Sequence, residues 1–192
     1  MTAGGQSDIQ LVARAVTGDR AAFSALARNY GPHLAALLRA YGVPAGEVED
    51  IAQEGLIAAW RSLGEFDQNQ PFRAWLFQIT LNKGRDWRRR RRVRAFFFGA
   101  SALDDGEAER IAGGEPTPEA RVENRDMLRR IDRLVADLPG SLKDAFLLTT
   151  VSGLTHAEAG EVLGLTAKAV ERRVDRARSA LQPGLRRLAE QK

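Results

Sequence analysis

The sequence predicts an all-α protein: two small helical domains joined by a flexible linker. Three observations carry this. Nearly every apolar stretch repeats at helical spacing, and runs of alternating β-branched residues, the mark of half-buried strands, are absent. Residues 99–118 lose periodicity altogether. They combine Gly106, Gly113, Gly114, Pro116 and Pro118 with Asp104, Asp105, Glu107, Glu109 and Glu115, a composition with too little apolar content to fold alone. Helical patterning stands on both sides of that stretch. The expected organisation is a disordered N-terminus over 1–8, a first domain over 9–95, an acidic linker over 96–119 and a second domain over 120–192.

The elements follow in order. Leu11 to Val16 and Ala21 to Tyr30 read as helices broken at Thr17-Gly18-Asp19, with Asp19 a suitable N-cap. Gly31-Pro32 opens a further helix to about Arg39, and Tyr41 to Gly46 is a loop. A helix over about Val48 to Leu63 precedes a loop from Gly64 to Pro71. Phe72 then starts a long helix that reaches an arginine run. Beyond the linker, a helix from near Ala120 stops at Pro139-Gly140. Three shorter ones cover Leu142 to Val151, Thr155 to Leu163 and Ala167 to Leu181.

Composition excludes several functions. The chain has no cysteine and only His33 and His156, so disulfides, thiolate metal sites, cysteine nucleophiles and histidine metal centres fall away. No nucleophile–base set or phosphate-cradling Gly loop suggests an enzyme, and no cofactor is implied. Met1 to Asp8 lacks a signal-peptide pattern. No apolar run approaches the roughly 20 residues of a membrane span. A cytoplasmic protein without membrane insertion is the expectation. The formal net charge is +4, and the excess collects over 83–94 and 172–187, which favours an anionic partner such as nucleic acid or a membrane surface.

Three faces stand out. On the 48–63 helix, Ala52, Leu56, Ala59 and Leu63 form an inward stripe. Asp50, Glu54, Ile57 and Arg61 share another face, with Gln53 beside them: a solvated acidic surface, or a docking surface, since Ile57 lies among charges. On the next helix Phe72, Trp75, Leu76 and Ile79 are apolar, while Gln78, Asn82, Arg85, Asp86 and Arg89 are polar. Trp75 and Trp87 read as core. Arg88 to Arg92 are five adjacent cations whose natural counter-charge is an external polyanion, a solvated tail being the alternative. Gly84, mid-helix, marks either a close backbone approach or a tolerated defect. Thr155 to Leu181 is a helix-turn-helix pattern with Gly164-Leu165 as the turn and Thr166 as N-cap. Val170, Val174, Ala177 and Leu181 face inward. Lys168, Arg172 and Arg176 lie opposite, with Arg173 adjacent, as a recognition helix in the major groove requires.

In this order, the Asp50–Arg61 segment, Phe72-Arg73-Ala74-Trp75-Leu76, the arginine run and the helix-turn-helix with its leader Leu138–Leu148 resemble the extracytoplasmic-function sigma factors. The resemblance spans about 11–94 and 120–188. It implies that Asp50, Gln53 and Glu54 face core RNA polymerase at the clamp helices of its largest subunit, flanked by Ile57 and Arg61. It implies a second contact on the flap, and promoter DNA as the other partner. Phe66 and Asn82 match the family's pocket for a flipped −10 base, with Lys83, Arg85, Arg88 and Arg89 on the DNA nearby. Thr166, Lys168, Arg172, Arg173 and Arg176 fall at the −35 reader. An anti-sigma factor covering these surfaces is a family expectation. The linker by analogy threads toward the polymerase active-site and RNA-exit region.

Some residues depart from the family. Ala159-Gly160 replaces a larger apolar residue and Ala. Glu171 and Asp175 are acidic on the reading helix, where they accept from cytosine, weaken phosphate binding or pair with neighbouring Arg. Phe96 to Phe98 either caps the first core or contacts a partner. Two rival readings are an operator-binding helix-turn-helix regulator, which gives no reason for the Asp50–Arg61 face, and a sigma-like module that titrates an anti-sigma factor, against which the intact arginines argue.

Overall fold

The computed structural model describes residues 5–98, 127 and 130–190, with side chains from 8 to 94 in the first block. The first domain comprises α1 (Gly5–Val16), α2 (Arg20–Tyr41), α3 (Ala45–Ser62), a 3-10 turn over Leu63–Glu65 and α4 (Phe72–Phe98). The second comprises α5 (residues 130–136), α6 (Gly140–Thr150), α7 (His156–Leu163) and α8 (Ala167–Ala189). There is no strand among the described residues, and none of their helices is long and apolar enough to cross a membrane.

The start of the chain differs from expectation. Residues 5–8 form the first part of α1 instead of a disordered tail, because the Tyr30 hydroxyl donates to Asp8 at 2.7 Å and ties α1 to α2. Burial and the Asp8 carboxylate together raise the Tyr30 pKa well above the ordinary phenol value. Gly31-Pro32 does not open a new helix, since α2 runs through it. Proline removes one backbone donor, but Gly31 has no Cβ to meet the ring. Leu26, Leu34, Leu37 and Leu38 are buried on both sides of the proline and hold the helix together. Asp19 caps α2 as predicted, accepting from the amides of Ala21 and Ala22, and Arg14 pins its carboxylate at 2.7 Å.

Two glycines set how closely α4 packs. A Cβ on Gly55 of α3 would lie 3.2 Å from Thr80 Oγ1, and one on Gly84 would lie 3.3 Å from both Leu38 and Tyr41 of α2. Gly84 is therefore a close-approach residue. Leu76, Phe77, Leu81 and Trp87 of α4 complete the first core with Leu34, Val48, Ile51 and Leu63. The helix continues to Phe98, so residues 96–98 are helical and the expected linker starts later. The acidic stretch from 99 and the first part of the expected 120–138 helix lie outside the described residues, as do the side chains of Phe96 to Phe98.

The second domain is built on α8. Val170, Val174, Ala177 and Leu181 point inward as predicted, and the helix continues through Pro183 to Ala189. That extension is held by Gly184, whose missing Cβ would sit 2.5 Å from a Leu134 methyl. A reciprocal capping box between Thr155 and Glu158 starts α7, and Gly164, at φ 65°, ends it. Gly160 explains its own departure from the family pattern: a Cβ there would lie 2.6 Å from the Leu165 carbonyl oxygen, inside the turn. Gly160→Ala should therefore lower stability by about 1–3 kcal/mol. Gly46→Ala, at a helical position open to solvent, should leave stability equal or raise it by up to about 1 kcal/mol. Urea unfolding of both variants checks the contrast, and equal midpoints would contradict it.

Candidate polymerase and nucleic-acid interfaces

The first surface lies on α3. Asp50, Gln53, Glu54, Ile57 and Arg61 are all exposed, and Ile57 leaves half of its surface open. The opposite side of the helix is occupied by the core through Val48, Ile51, Ala52, Gly55 and Ala59. Lys83 of α4 approaches Glu54 at 3.6 Å, joining this face to the next helix. Between α3 and α4 runs an open groove with Glu47, Asp50 and Glu54 along one wall and Arg89, Arg90 and Arg94 along the other. Ile51, Trp87 and Val93 contribute its apolar surface. Trp87 is buried, donates its indole N–H to Glu47 at 2.7 Å and carries the Arg91 guanidinium over its ring at 5.3 Å.

The second surface is the polar side of α4. Asn82 and Arg89 are exposed, while Lys83, Arg85 and Arg88 are half-buried. Arg85 donates to the Asn82 side-chain oxygen at 2.9 Å and to one oxygen of Asp144, in α6, at 2.6 and 3.1 Å. Arg89 pairs with Asp86 at 3.1 Å, so Asp86 orients a neighbouring arginine as expected. Phe66, expected at the base pocket, is 7% exposed and packs its ring on Phe72 and Trp75, with centroids 5.6 and 4.9 Å away.

The sequence reading did not foresee the contacts of three residues at this surface. Arg73 lies over the Phe77 ring and donates to the Ser152 carbonyl, Gln78 donates to the Val162 carbonyl at 3.3 Å, and Asp144 holds Arg85. The available signal was the adjacent pair Lys143-Asp144 inside an apolar leader. Both are buried. Lys143 donates to the Ala136 carbonyl and sits 5.7 Å over the Tyr41 ring. Burial, aided by the Arg88 charge, lowers its pKa to about 8.

The third surface is α8. Thr166 caps it through the Ala169 amide at 3.2 Å. Lys168, Arg172 and Arg176 are exposed, and Arg173 is half-buried. Glu171 pairs with Lys168 at 2.9 Å, which lowers the acid's pKa and raises the lysine's. Asp175 lies 3.7 Å from Arg178. Glu171 and Asp175, the acids within α8, thus each have a basic neighbour along the same helix.

Comparison with known proteins places both domains in one family. Residues 26–94 match Sigma-70 region 2, and residues 128–181 match Sigma-70 region 4. The chain belongs to the extracytoplasmic-function family of RNA polymerase sigma factors. It is 44% identical to the RNA polymerase sigma factor CnrH of Cupriavidus metallidurans, over 91% of this chain and 92% of that protein. It is 30% identical to the ECF RNA polymerase sigma-E factor of Escherichia coli, over 94% and 97%. The structure of CnrH in complex with the cytosolic domain of CnrY superposes with a TM-score of 0.70, covering 93% of this chain and 97% of that one. As a family member this sigma factor is a non-catalytic, DNA-binding protein of transcription initiation.

The buried lysine of this sigma factor makes its stability pH-dependent. Lys143 loses its proton near pH 8 when folded, against 10.5 when free. Between those values the unfolded chain holds more protons, so the Lys143 contribution to stability rises with pH. Above about pH 10 the raised pKa of Tyr41, from burial, opposes the gain. The gap in Tm between wild type and Lys143→Met should narrow from about pH 7 to about pH 9.5. A gap that does not change with pH would contradict this.

Proposed function

We propose that this sigma factor docks on core RNA polymerase through α3, holds the melted −10 strand on α4 and reads the −35 duplex with α8. The observation that carries the reading is the arrangement of faces. The exposed α3 set, with Ile57 uncovered among charges, lies against a helix whose outer side is an amide and a row of cations. On α3, Asp50, Gln53 and Glu54 meet the clamp helices of the largest subunit. Ile57 supplies apolar contact, and Arg61 flanks it. The second domain engages the flap.

Asn82 offers both a donor and an acceptor to the edge of an unstacked base. Lys83, Arg85, Arg88 and Arg89 hold phosphates and set register without reading sequence. Phe66 acts indirectly by seating the loop before α4 on the aromatic cluster. On α8, Thr166 and Arg173 sit nearest the backbone, and Lys168, Arg172 and Arg176 reach base edges. Arginine reads guanine by two bonds to O6 and N7. Control by an anti-sigma factor fits the same surfaces. The CnrH relative is known in complex with the cytosolic domain of CnrY, and a second protein of this fold with the anti-sigma factor NepR. The factor works where the polymerase works, in the cytoplasm.

Transcription in vitro with purified core polymerase and a genomic promoter library tests this. Wild type should create start sites that core polymerase alone does not use. Asn82→Ala should weaken them by about tenfold or more, as expected for losing a base contact of about 1–3 kcal/mol. Ile57→Asp should abolish binding to core polymerase while leaving duplex binding by α8 intact. Tight DNA binding without new transcripts would overturn the reading.

A further inference from the structure

The two acids of α8 are not equivalent. Recognition helices read base edges with their N-terminal residues. Glu171 stands in the second turn of α8, between the inward Val170 and the exposed Arg172. It leaves 42% of its side chain open and accepts a hydrogen bond from the Lys168 ammonium at 2.9 Å. Arg172 and His156, the first residue of α7, add smaller electrostatic support for the charged carboxylate. Asp175 comes a turn later and lies 3.7 Å from Arg178, beyond hydrogen-bonding distance. Near DNA a carboxylate is repelled by the phosphates unless it meets a donor, and in the major groove the donors are the amino groups of cytosine and adenine.

We propose that Lys168 and Glu171 read one G·C pair of the −35 element as a single unit. Lys168 donates to guanine O6 and N7, and Glu171 accepts from cytosine N4. This rests on the assignment of α8 to the −35 duplex and adds Glu171 to it as a specificity-determining residue. The spacing fits. Guanine O6 and cytosine N4 are bonded to each other and stand about 2.9 Å apart, as the Lys168 nitrogen and the Glu171 oxygen do. The ammonium has three hydrogens, so one holds Glu171 and two remain for guanine. The carboxylate has lone pairs for both Lys168 and the cytosine amino group. A T·A pair presents thymine O4 and adenine N6 in the same sense, but a methyl group stands where guanine has N7, so it ranks second. The reversed pairs, C·G and A·T, set an amino group against the ammonium and an oxygen against the carboxylate, and they rank last.

The test uses the full chain bound to core polymerase and a promoter library randomised at both elements, with the bound promoters sequenced. Wild type should select G·C at one −35 position that depends on Glu171. Glu171→Ala should lower that preference by about tenfold and leave the other positions unchanged. Lys168→Glu combined with Glu171→Lys keeps the net charge and the i, i+3 spacing. It should turn the preference at the same position from G·C to C·G. The bases selected at the −10 element should not move in either variant, which excludes misfolding as the cause.

If Glu171→Ala binds every sequence more tightly by the same factor and keeps the wild-type preferences, Glu171 is only a counter-charge for Lys168, and the pair reading is overturned. An exchanged pair that selects the wild-type bases overturns it too. In both cases α8 keeps its place on the −35 duplex. Arg172→Ala and Arg176→Ala variants that leave the −35 selection unchanged would overturn the assignment of α8 itself, and the pair reading with it.

Discussion

Everything in this molecule depends on how α4 divides its surface. One side is committed to the core through Leu76, Phe77, Thr80, Leu81 and Trp87, all buried. Around that side stand Arg73, Arg85 and Arg88, which meet the second domain, and Arg89 and Arg90, which line the groove against α3. Cations cannot follow the apolar side inward without a partner, because burying an unpaired charge is far more costly than leaving it in water. The helix therefore has one orientation available. Gly55 and Gly84 bring α3 and α2 close to its apolar side, and the cationic side is left to find negative charge elsewhere.

The negative partners it finds are graded by exposure. Glu54 meets Lys83 at 3.6 Å in the open, and Arg89 meets Asp86 on the same exposed face. Such pairs contribute little and are screened by salt. The Arg85–Asp144 pair is different, because Asp144 is buried and its second oxygen has no hydrogen-bond partner. A buried carboxylate with one oxygen unsatisfied depends on its single arginine, so loss of Arg85 would leave an uncompensated buried charge. Lys143 beside it has the same character, a buried ammonium with its pKa lowered to about 8. Both groups are buried at a cost where the two domains meet, Asp144 on Arg85 and Lys143 over the Tyr41 ring.

The helices, the two domains and the inward stripes were legible in the sequence because each rests on local periodicity. The α8 stripe Val170, Val174, Ala177, Leu181 and the exposed α3 set are placed as the pattern requires. What failed was whatever depended on distant partners. Pro32 reads as a helix start until the leucines around it are seen to be buried together. Residues 5–8 read as disordered because the bond from Tyr30 to Asp8 crosses between helices. The burial of Phe66 could not be read either, because it depends on the rings of Phe72 and Trp75 beyond the loop. The contacts of Arg73, Gln78 and Asp144 could not be read because their partners belong to the other domain.

The two domains meet on the same helix that carries the cations. Arg73, Gln78, Arg85 and Arg88 of α4 each donate to an oxygen of the second domain: the Ser152 carbonyl, the Val162 carbonyl, the Asp144 carboxylate and the Ala136 carbonyl. Three of these acceptors lie at or just beyond the ends of α6, α7 and α5, where carbonyls lack intrahelical partners and the helix dipole is negative. The contact between the domains is therefore polar and directional, whereas each domain's own core is apolar. The ends of three short helices find in α4 the donors that their own chain does not offer them.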